Sequence, residues 1–450
     1  MVHTKYLIIG AGPTGLAAAN RLLELGEDRF LVLEKSSRVG GLAGSIKDSA
    51  GFTWDLGRHV PDPRHEYVAN LFDDLMGGDR LEHERRAFVR YLDTWVPCPF
   101  QNNIGRLPPE AQFECVRGLI PEQDVDLPAP ANFREWIYRV FGPGIAKHFM
   151  LPHNSKLWRA PLEEMSFGWA EGRIGKVSLE RALKHLILGR DDHGSGAGSF
   201  KYPYFGGIGE IFRRLAKRVG DKVAIGSEIA TIDRASRTAL TAGGSEYFYE
   251  RALYTGPLDK LVADILSGPP DPVRKAAADL RRTGLVISGI GLKGSRTNER
   301  LWAYFPGRDF PFHRLTSLHE FSPKLPPSRD KFRAFMAETN FAGDEQPPRN
   351  AWDEAFESLL DAGVLSEYDR ERVADKFETV LEYAYPVPSL ARDAALRTIQ
   401  PFLEESGIFS RGRFGGWKYE TGDMDASIMQ GVEWAERMIL DRNEQTYIVE

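Results

Sequence analysis

Four residues at fixed spacing, Gly10, Gly12, Gly15 and Glu34, carry the first recognisable chemistry of the chain. The glycines lie in Ile8-Ile9-Gly10-Ala11-Gly12-Pro13-Thr14-Gly15, between an apolar run at 6–9 and an alanine-rich run at 16–25. Gly10 suits a tight turn, Gly12 lets a pyrophosphate approach the backbone, and Gly15 lets a helix pack closely on a strand. The first turn of that helix offers free N–H groups and a positive dipole end to a phosphate. Glu34 closes the next apolar run, 30–33, where a carboxylate can accept hydrogen bonds from a ribose. A plain glycine turn is the bland alternative, but strand, helix and acid fall in the order that a dinucleotide needs. Gly40, Gly41 and Leu42 come just past the acid. Flavin enzymes often pass a second backbone segment close to the dinucleotide there, which favours FAD over NAD.

A larger scaffold must position these elements. The chain has 450 residues of ordinary globular composition, enough for two or three domains and an ample core. Net charge is −6 with both signs spread along the chain, so no basic block points to nucleic acid or a membrane. Cys98 and Cys115 make neither a disulfide framework nor a metal spacing. No apolar run reaches transmembrane length, and the first residues already read as a strand. The expectation is a cytoplasmic enzyme without a signal peptide.

Along the chain, 86–96 reads as two strands around a turn at 92–94, and 108–190 as mostly helical. The glycine-rich 191–199 reads as a mobile loop. Short strands are expected at 223–225, 228–233 and 252–257, and strands of a separate sheet at 285–292 and 301–304. Residues 352–377 read as mostly helical and 378–385 as a strand. The fold class is therefore α/β, with a discontinuous dinucleotide-binding domain at 1–85, 200–262 and 400–450. A helical domain at 105–199 and a sheet domain at 86–104 and 263–399 interrupt it.

Further motifs run through nearly the whole chain in order. They include Trp95-Val96-Pro97-Cys98-Pro99-Phe100-Gln101-Asn102-Asn103-Ile104, and Phe149-Met150-Leu151-Pro152-His153-Asn154 with Trp158. Trp302-Ala303-Tyr304-Phe305-Pro306 with Phe312-His313-Arg314 follows. The last are Tyr385-Pro386-Val387-Pro388 and Arg411-Gly412-Arg413-Phe414-Gly415-Gly416-Trp417-Lys418-Tyr419-Glu420. In these motifs the chain resembles the eukaryotic-type branch of the UDP-galactopyranose mutase family. The resemblance implies an FAD-binding Rossmann-like domain of GR2 type, a helical insertion domain and an antiparallel β-sheet domain. It implies an isomerase that contracts the ring of a nucleotide hexose, such as UDP-galactose to its galactofuranose form. The reaction would pass through an adduct between reduced flavin and sugar, with nucleoside diphosphate as leaving group and no net redox change. NAD(P)H is a possible reductant, and a homo-oligomer is possible.

Residue by residue, the resemblance implies catalytic roles for His59, Arg173 and Arg314, the arginines on the pyrophosphate and the histidine in a loop facing the flavin. Planar guanidinium forks suit phosphate oxygens. Tyr304, Tyr385 and Tyr419 match tyrosines near the diphosphate and sugar. Gln101, Phe149, Met150, His153, Asn154 and Trp158 match the nucleoside end. Gly10, Gly12, Gly15, Glu34, Gly40, Gly41, Leu42, Arg58, Arg413, Gly415, Gly416 and Asp423 match the cofactor side. Each has a bland alternative: a solvated arginine, a core aromatic, a structural histidine.

The chain also departs from the family. Arg58 stands where a second glycine precedes the flavin-facing histidine, Cys98 where an aromatic stacks on uracil, and His153 where a tyrosine lines the nucleoside pocket. Phe321 replaces another tyrosine of the diphosphate cluster, and Asp423, Met424 and Ala426 replace residues of a polar loop on the flavin. A wider base pocket would admit guanine, so the substrate is either a GDP-hexose or a UDP-hexose. Two other readings stay open. One is a flavin amine-oxidase-like oxidoreductase. The other is a flavin-independent mutase or nucleotide-sugar-binding protein on the same fold.

Overall fold

A computed structural model of the chain describes residues 2–120, 128–192, 198–295 and 300–449. Positions 193–197, inside the loop expected to be mobile, lie outside the described residues. The chain opens with strand β1 (Val2–Ile9), helix α1 (Pro13–Glu24) and strand β2 (Phe30–Leu33). β1 lies parallel to β2 on one side and parallel to the strand Glu246–Tyr254 on the other. The inner end of β1, Leu7 to Ile9, is buried on both faces, as a central parallel strand requires. Val223–Ala224 extends the sheet beyond β2, and Ile229–Asp233, Thr238–Thr241 and Ile408–Ser410 complete it.

A second sheet of seven strands has the order Val373–Pro386, Arg282–Lys293, Phe332–Ala342, Arg314–Ser317, Trp302–Tyr304, Ala87–Tyr91, Thr94–Pro97. Its pairs are antiparallel except one, since Trp302–Tyr304 runs parallel to Ala87–Tyr91. The central strands are buried on both faces, whereas the edge strand Val373–Pro386 alternates exposed and covered residues. That edge corrects the helical reading of 352–377: the helix is Ala351–Asp361, and the strand has begun by Val373. Phe377 and Leu381 share one face of it, and Phe377 stacks on Trp54 at 5.5 Å, while a register shift before Asp375 turns Val373 to the other face.

Helices Pro109–Gly118, Phe133–Ile145, Leu151–Trp158 and Leu179–Leu188 pack around Phe133, Trp136, Phe141, Trp158 and Trp169. The Asn132 side chain caps the second by accepting from Glu135 N at 3.0 Å. Gly142 and Pro143 break that helix, and a π-helical turn, Ala146–Met150, carries the chain into the next. The last helix, Met424–Leu440, is capped by Asp423, whose carboxylate accepts from Ala426 N at 2.9 Å, and packs against α1. Among the described residues no helix is long and apolar enough to cross a membrane.

Candidate active site

A cavity of about 630 Å³ opens where three neighbouring parallel strands end. Ile9, Leu33 and Tyr254, the final residues of those strands, all line it. This is the crevice outside the carboxyl ends of an open sheet, where α/β folds bind ligands. Gly10, Gly12, Glu34, Gly41, Leu42, His59 and Arg413 also line it.

The wall fits a dinucleotide. No side chain caps α1, whose first residue is Pro13, so its leading N–H groups are open to a ligand. A Cβ added at Gly12 would meet only the Gly41 Cα, at 3.9 Å, so protein packing alone does not require glycine there. The bare backbone leaves space for a phosphate. Glu34 accepts from Ala11 N at 2.7 Å and Ser36 N at 2.8 Å, which ties the glycine loop to the end of β2. Its carboxylate keeps acceptor capacity for a ribose.

Gly15 acts by close approach, since a Cβ there would sit 2.0 Å from the Gly10 carbonyl oxygen. Gly15→Ala should therefore destabilise the protein by about 1–3 kcal/mol, the usual range for overpacking, and lower its bound flavin. A melting curve and the flavin-to-protein ratio of the purified variant check this. Gly40 turns the loop from outside the cavity wall. Gly415 and Gly416 are not at the wall either: they pack against Tyr254 with Ser410, and against Tyr447.

A second cavity, of about 420 Å³, shares Leu42, Leu56, His59, Arg413 and Met424 with the first. Six arginines line it (Arg58, Arg64, Arg85, Arg173, Arg314 and Arg413) against three aspartates, Asp62, Asp423 and Asp425. Arg314 is held in a bidentate ion pair with Glu338, through Nε–Oε1 at 3.0 Å and a short Nη2–Oε2 contact, and donates to the Tyr385 hydroxyl at 3.3 Å. Arg173 pairs with Asp423 at 2.8 Å and lies 5.5 Å from the Tyr419 ring centre. Tyr419 is wedged between Trp158 and Trp169 at 4.8 and 5.3 Å. Arg413 donates to the carbonyls of Gly422 and Ala384. Thus His59, Arg58, Arg173, Arg314, Tyr385, Tyr419, Arg413 and Asp423 converge on one space.

The expected nucleoside-end residues do not line that space. Gln101 is buried and donates to the Gly175 carbonyl at 2.6 Å. Asn154 donates to the Met150 carbonyl and accepts from Trp158 Nε1, so these polar groups bond within the helical layer. Phe149 stacks on Phe100 at 4.7 Å and on His153 at 5.1 Å, and His153 meets the edge of Tyr304. Met150 and Trp158 are core residues.

Burial decides the protonation states. It lowers the pKa of His59 to about 3, helped by Arg413, so the ring is neutral near pH 7 and lies with Nε2 3.2 Å from the Leu56 carbonyl. Burial raises the Cys98 thiol to about 12, which leaves it an inert thiol. His313, only 1% exposed, has neither ring nitrogen bonded and is held well below 6.5 by burial, with Arg314 adding to the effect. Below pH 6.5 the unfolded chain therefore binds a proton at this position that the folded chain refuses. Stability should fall as pH drops from 7 to 5, with the His313 contribution approaching about 1.4 kcal/mol per pH unit once the pH is well below 6.5. Asp55 acts in the opposite sense, because burial raises it to about 6 and the folded state takes up its proton first. Urea midpoints at pH 7 and 5 should show the histidine effect diminished in His313→Asn and the opposing one removed in Asp55→Asn.

Sequence reasoning missed Arg64 and Arg85 at the second cavity, Glu338 behind its Arg314, and Ser227 and Glu228 at the first. For Glu338 a signal existed: a lone acid inside the apolar stretch 332–342 calls for a buried cation.

With this geometry in hand, the comparisons are specific. The flavin containing amine oxidoreductase family matches residues 13–290. The chain belongs to that family, on the branch of UDP-galactopyranose mutase. The crystal structure of reduced UDP-galactopyranose mutase superposes with a TM-score of 0.94 at 33% identity, covering 99% of this chain and 96% of that one. Putrescine oxidase shares the fold at a TM-score of 0.64 and 16% identity, covering 98% and 99%. A chloroplastic 15-cis-phytoene desaturase of Glycine max is 34% identical over 83 residues, 18% of this chain and 14% of that enzyme. The chain thus spans about a seventh of the length of that curated relative.

Proposed function

We propose that this protein is a nucleotide-sugar mutase that interconverts pyranose and furanose rings with FAD as cofactor. The observation that carries the reading is the arginine-rich cavity joined to the dinucleotide cavity through His59 and Arg413. A diphosphate suits such a wall, whereas an ammonium substrate of the amine-oxidase type would meet like charge. Reduced flavin, when bound, supplies the electron-rich centre that the sugar's anomeric carbon requires. The chain's own residues then do three things. Arg173 and Arg314 hold the diphosphate and neutralise the charge that grows on it as it leaves. Tyr385 and Tyr419 donate hydroxyls beside them. Neutral His59 orders the junction between the two cavities without adding a positive charge. The base remains open between uracil and guanine: Cys98 offers no stacking ring where the family has one, which favours the larger purine.

The test is to incubate dithionite-reduced protein with a panel of UDP- and GDP-hexoses and look for an isomer of unchanged mass. Oxygen consumption with stoichiometric peroxide and no isomer would establish the oxidase reading instead. Competition between UDP and GDP for one bound probe decides the base.

A further inference from the structure

Five of the six arginines around the smaller cavity already have partners. Arg64 and Arg173 pair with Asp423, Arg85 with Asp62, Arg314 with Glu338, and Arg413 with two backbone carbonyls. Arg58 differs. Among the described residues no carboxylate pairs with it, and its Nε is buried without a hydrogen-bond partner. Its guanidinium lies over the Trp302 ring, 4.6 Å from the centre. Stacking of this kind uses the flat face of the guanidinium and leaves its N–H edge available to an oxyanion.

The backbone places this group with care. Arg58 N donates at 3.0 Å to Glu338 Oε1, the same carboxylate oxygen that accepts from Arg314 Nε. One buried acid therefore fixes both the loop that carries Arg58 and the guanidinium of Arg314. Two cations then share one anion in a desolvated space, and a positive charge is left over. Burial and the neighbouring Arg314 both act against the charged form of Arg58. The side chain lines the smaller cavity and not the dinucleotide cavity, which separates it from a cofactor role.

We infer that Arg58 is a third cationic ligand of the substrate diphosphate, supplied by the loop before His59. This inference rests on the nucleotide-sugar reading. It assigns Arg58 to substrate affinity: its Nε–H and Nη–H edge takes phosphate oxygens while Trp302 holds its face.

The experiment is calorimetric titration of FAD-loaded wild type, Arg58→Gln and Arg58→Lys with inorganic pyrophosphate, UDP and GDP, each at low and high salt. The glutamine variant should bind pyrophosphate and the preferred nucleotide at least about tenfold more weakly, with a shallower salt dependence, as loss of one charge-assisted contact implies. Lysine should recover part of the affinity. Flavin content and the visible spectrum should match wild type in both variants. Unchanged pyrophosphate affinity in Arg58→Gln overturns the inference. If nucleotide binding alone weakens, Arg58 reads base or sugar, and if flavin is lost instead, it belongs to the cofactor. Wild type that binds none of the three ligands removes the nucleotide-sugar reading itself, a different outcome from a binding wild type and an equally binding variant.

Discussion

Glu338→Ala should cost the protein about 3–5 kcal/mol of stability, the range for breaking one side of a buried ion pair. The Glu338 side chain is fully buried, and Arg314 retains 8% exposure. Removing the carboxylate leaves the Arg314 guanidinium in a desolvated space with only the Tyr385 hydroxyl, and with Arg58 near enough to repel it. It also frees the Arg58 N–H, so the loop carrying His59 loses its anchor to the second sheet. Nucleoside diphosphate binding should weaken as well, because both cations lose their fixed placement. Glu338→Gln keeps one acceptor for the backbone N–H and should fall between the two. Urea unfolding followed by far-ultraviolet circular dichroism measures the effect. A loss below about 1 kcal/mol, typical of an exposed pair, would mean that water replaces the carboxylate at this site.

The same acid explains what could and could not be read from the sequence. The βαβ unit was legible because each of its parts follows a local rule. Apolar runs at 6–9 and 30–33 are buried strands, and the glycines fall where backbone must approach backbone. The strand Phe332–Ala342 follows no such rule. It is buried on both faces, so nothing alternates, and Glu338, Thr339 and Asn340 interrupt its apolar run. Only its pairing with Arg282–Lys293 and Arg314–Ser317 places it, and that contact is long-range. The strand beginning at Val373 was lost for another reason. Its first half carries the charged residues Asp375, Lys376 and Glu378 on an edge, where strand and helix surface look alike in sequence.

The candidate site divides in the same way. Arg173, Arg314, Tyr385 and Tyr419 come together from the helical layer, the second sheet and the segment before the last helix, and motif resemblance was the means of finding them. Gln101, Asn154 and Trp158 belong to equally recognisable motifs. In this structure, however, their hydrogen bonds run to Gly175, Met150 and each other, away from the cavity. Motif matching identifies such residues but carries no information about which partner holds a side chain at a given moment.

Isomerisation of a nucleotide hexose should appear only after the protein is reduced, with dithionite or NAD(P)H, and should be at background in the air-oxidised form. The wall of the smaller cavity gives the physical reason. Its three carboxylates are engaged with arginines or His65: Asp62 with Arg85, Asp423 with Arg64 and Arg173, and Asp425 with His65. No cysteine or lysine lines it. His59 is neutral but lies against the Leu56 carbonyl and the Arg413 charge. The Tyr385 hydroxyl accepts from Arg314, and burial raises Tyr419 and keeps its phenol protonated. Among the described residues no side chain is thus placed as an activated nucleophile, while the surplus of arginines favours an anionic group at the junction with the dinucleotide cavity. An electron-rich reduced cofactor satisfies that field, and the neutral oxidised form does not. The two states are compared by following product formation anaerobically and in air on one protein preparation, with the visible spectrum reporting the redox state. Full turnover by flavin-free protein without any reductant would overturn the prediction. The catalytic burden would then fall on His59, Arg314 and the two tyrosines, and the dinucleotide cavity would need another occupant.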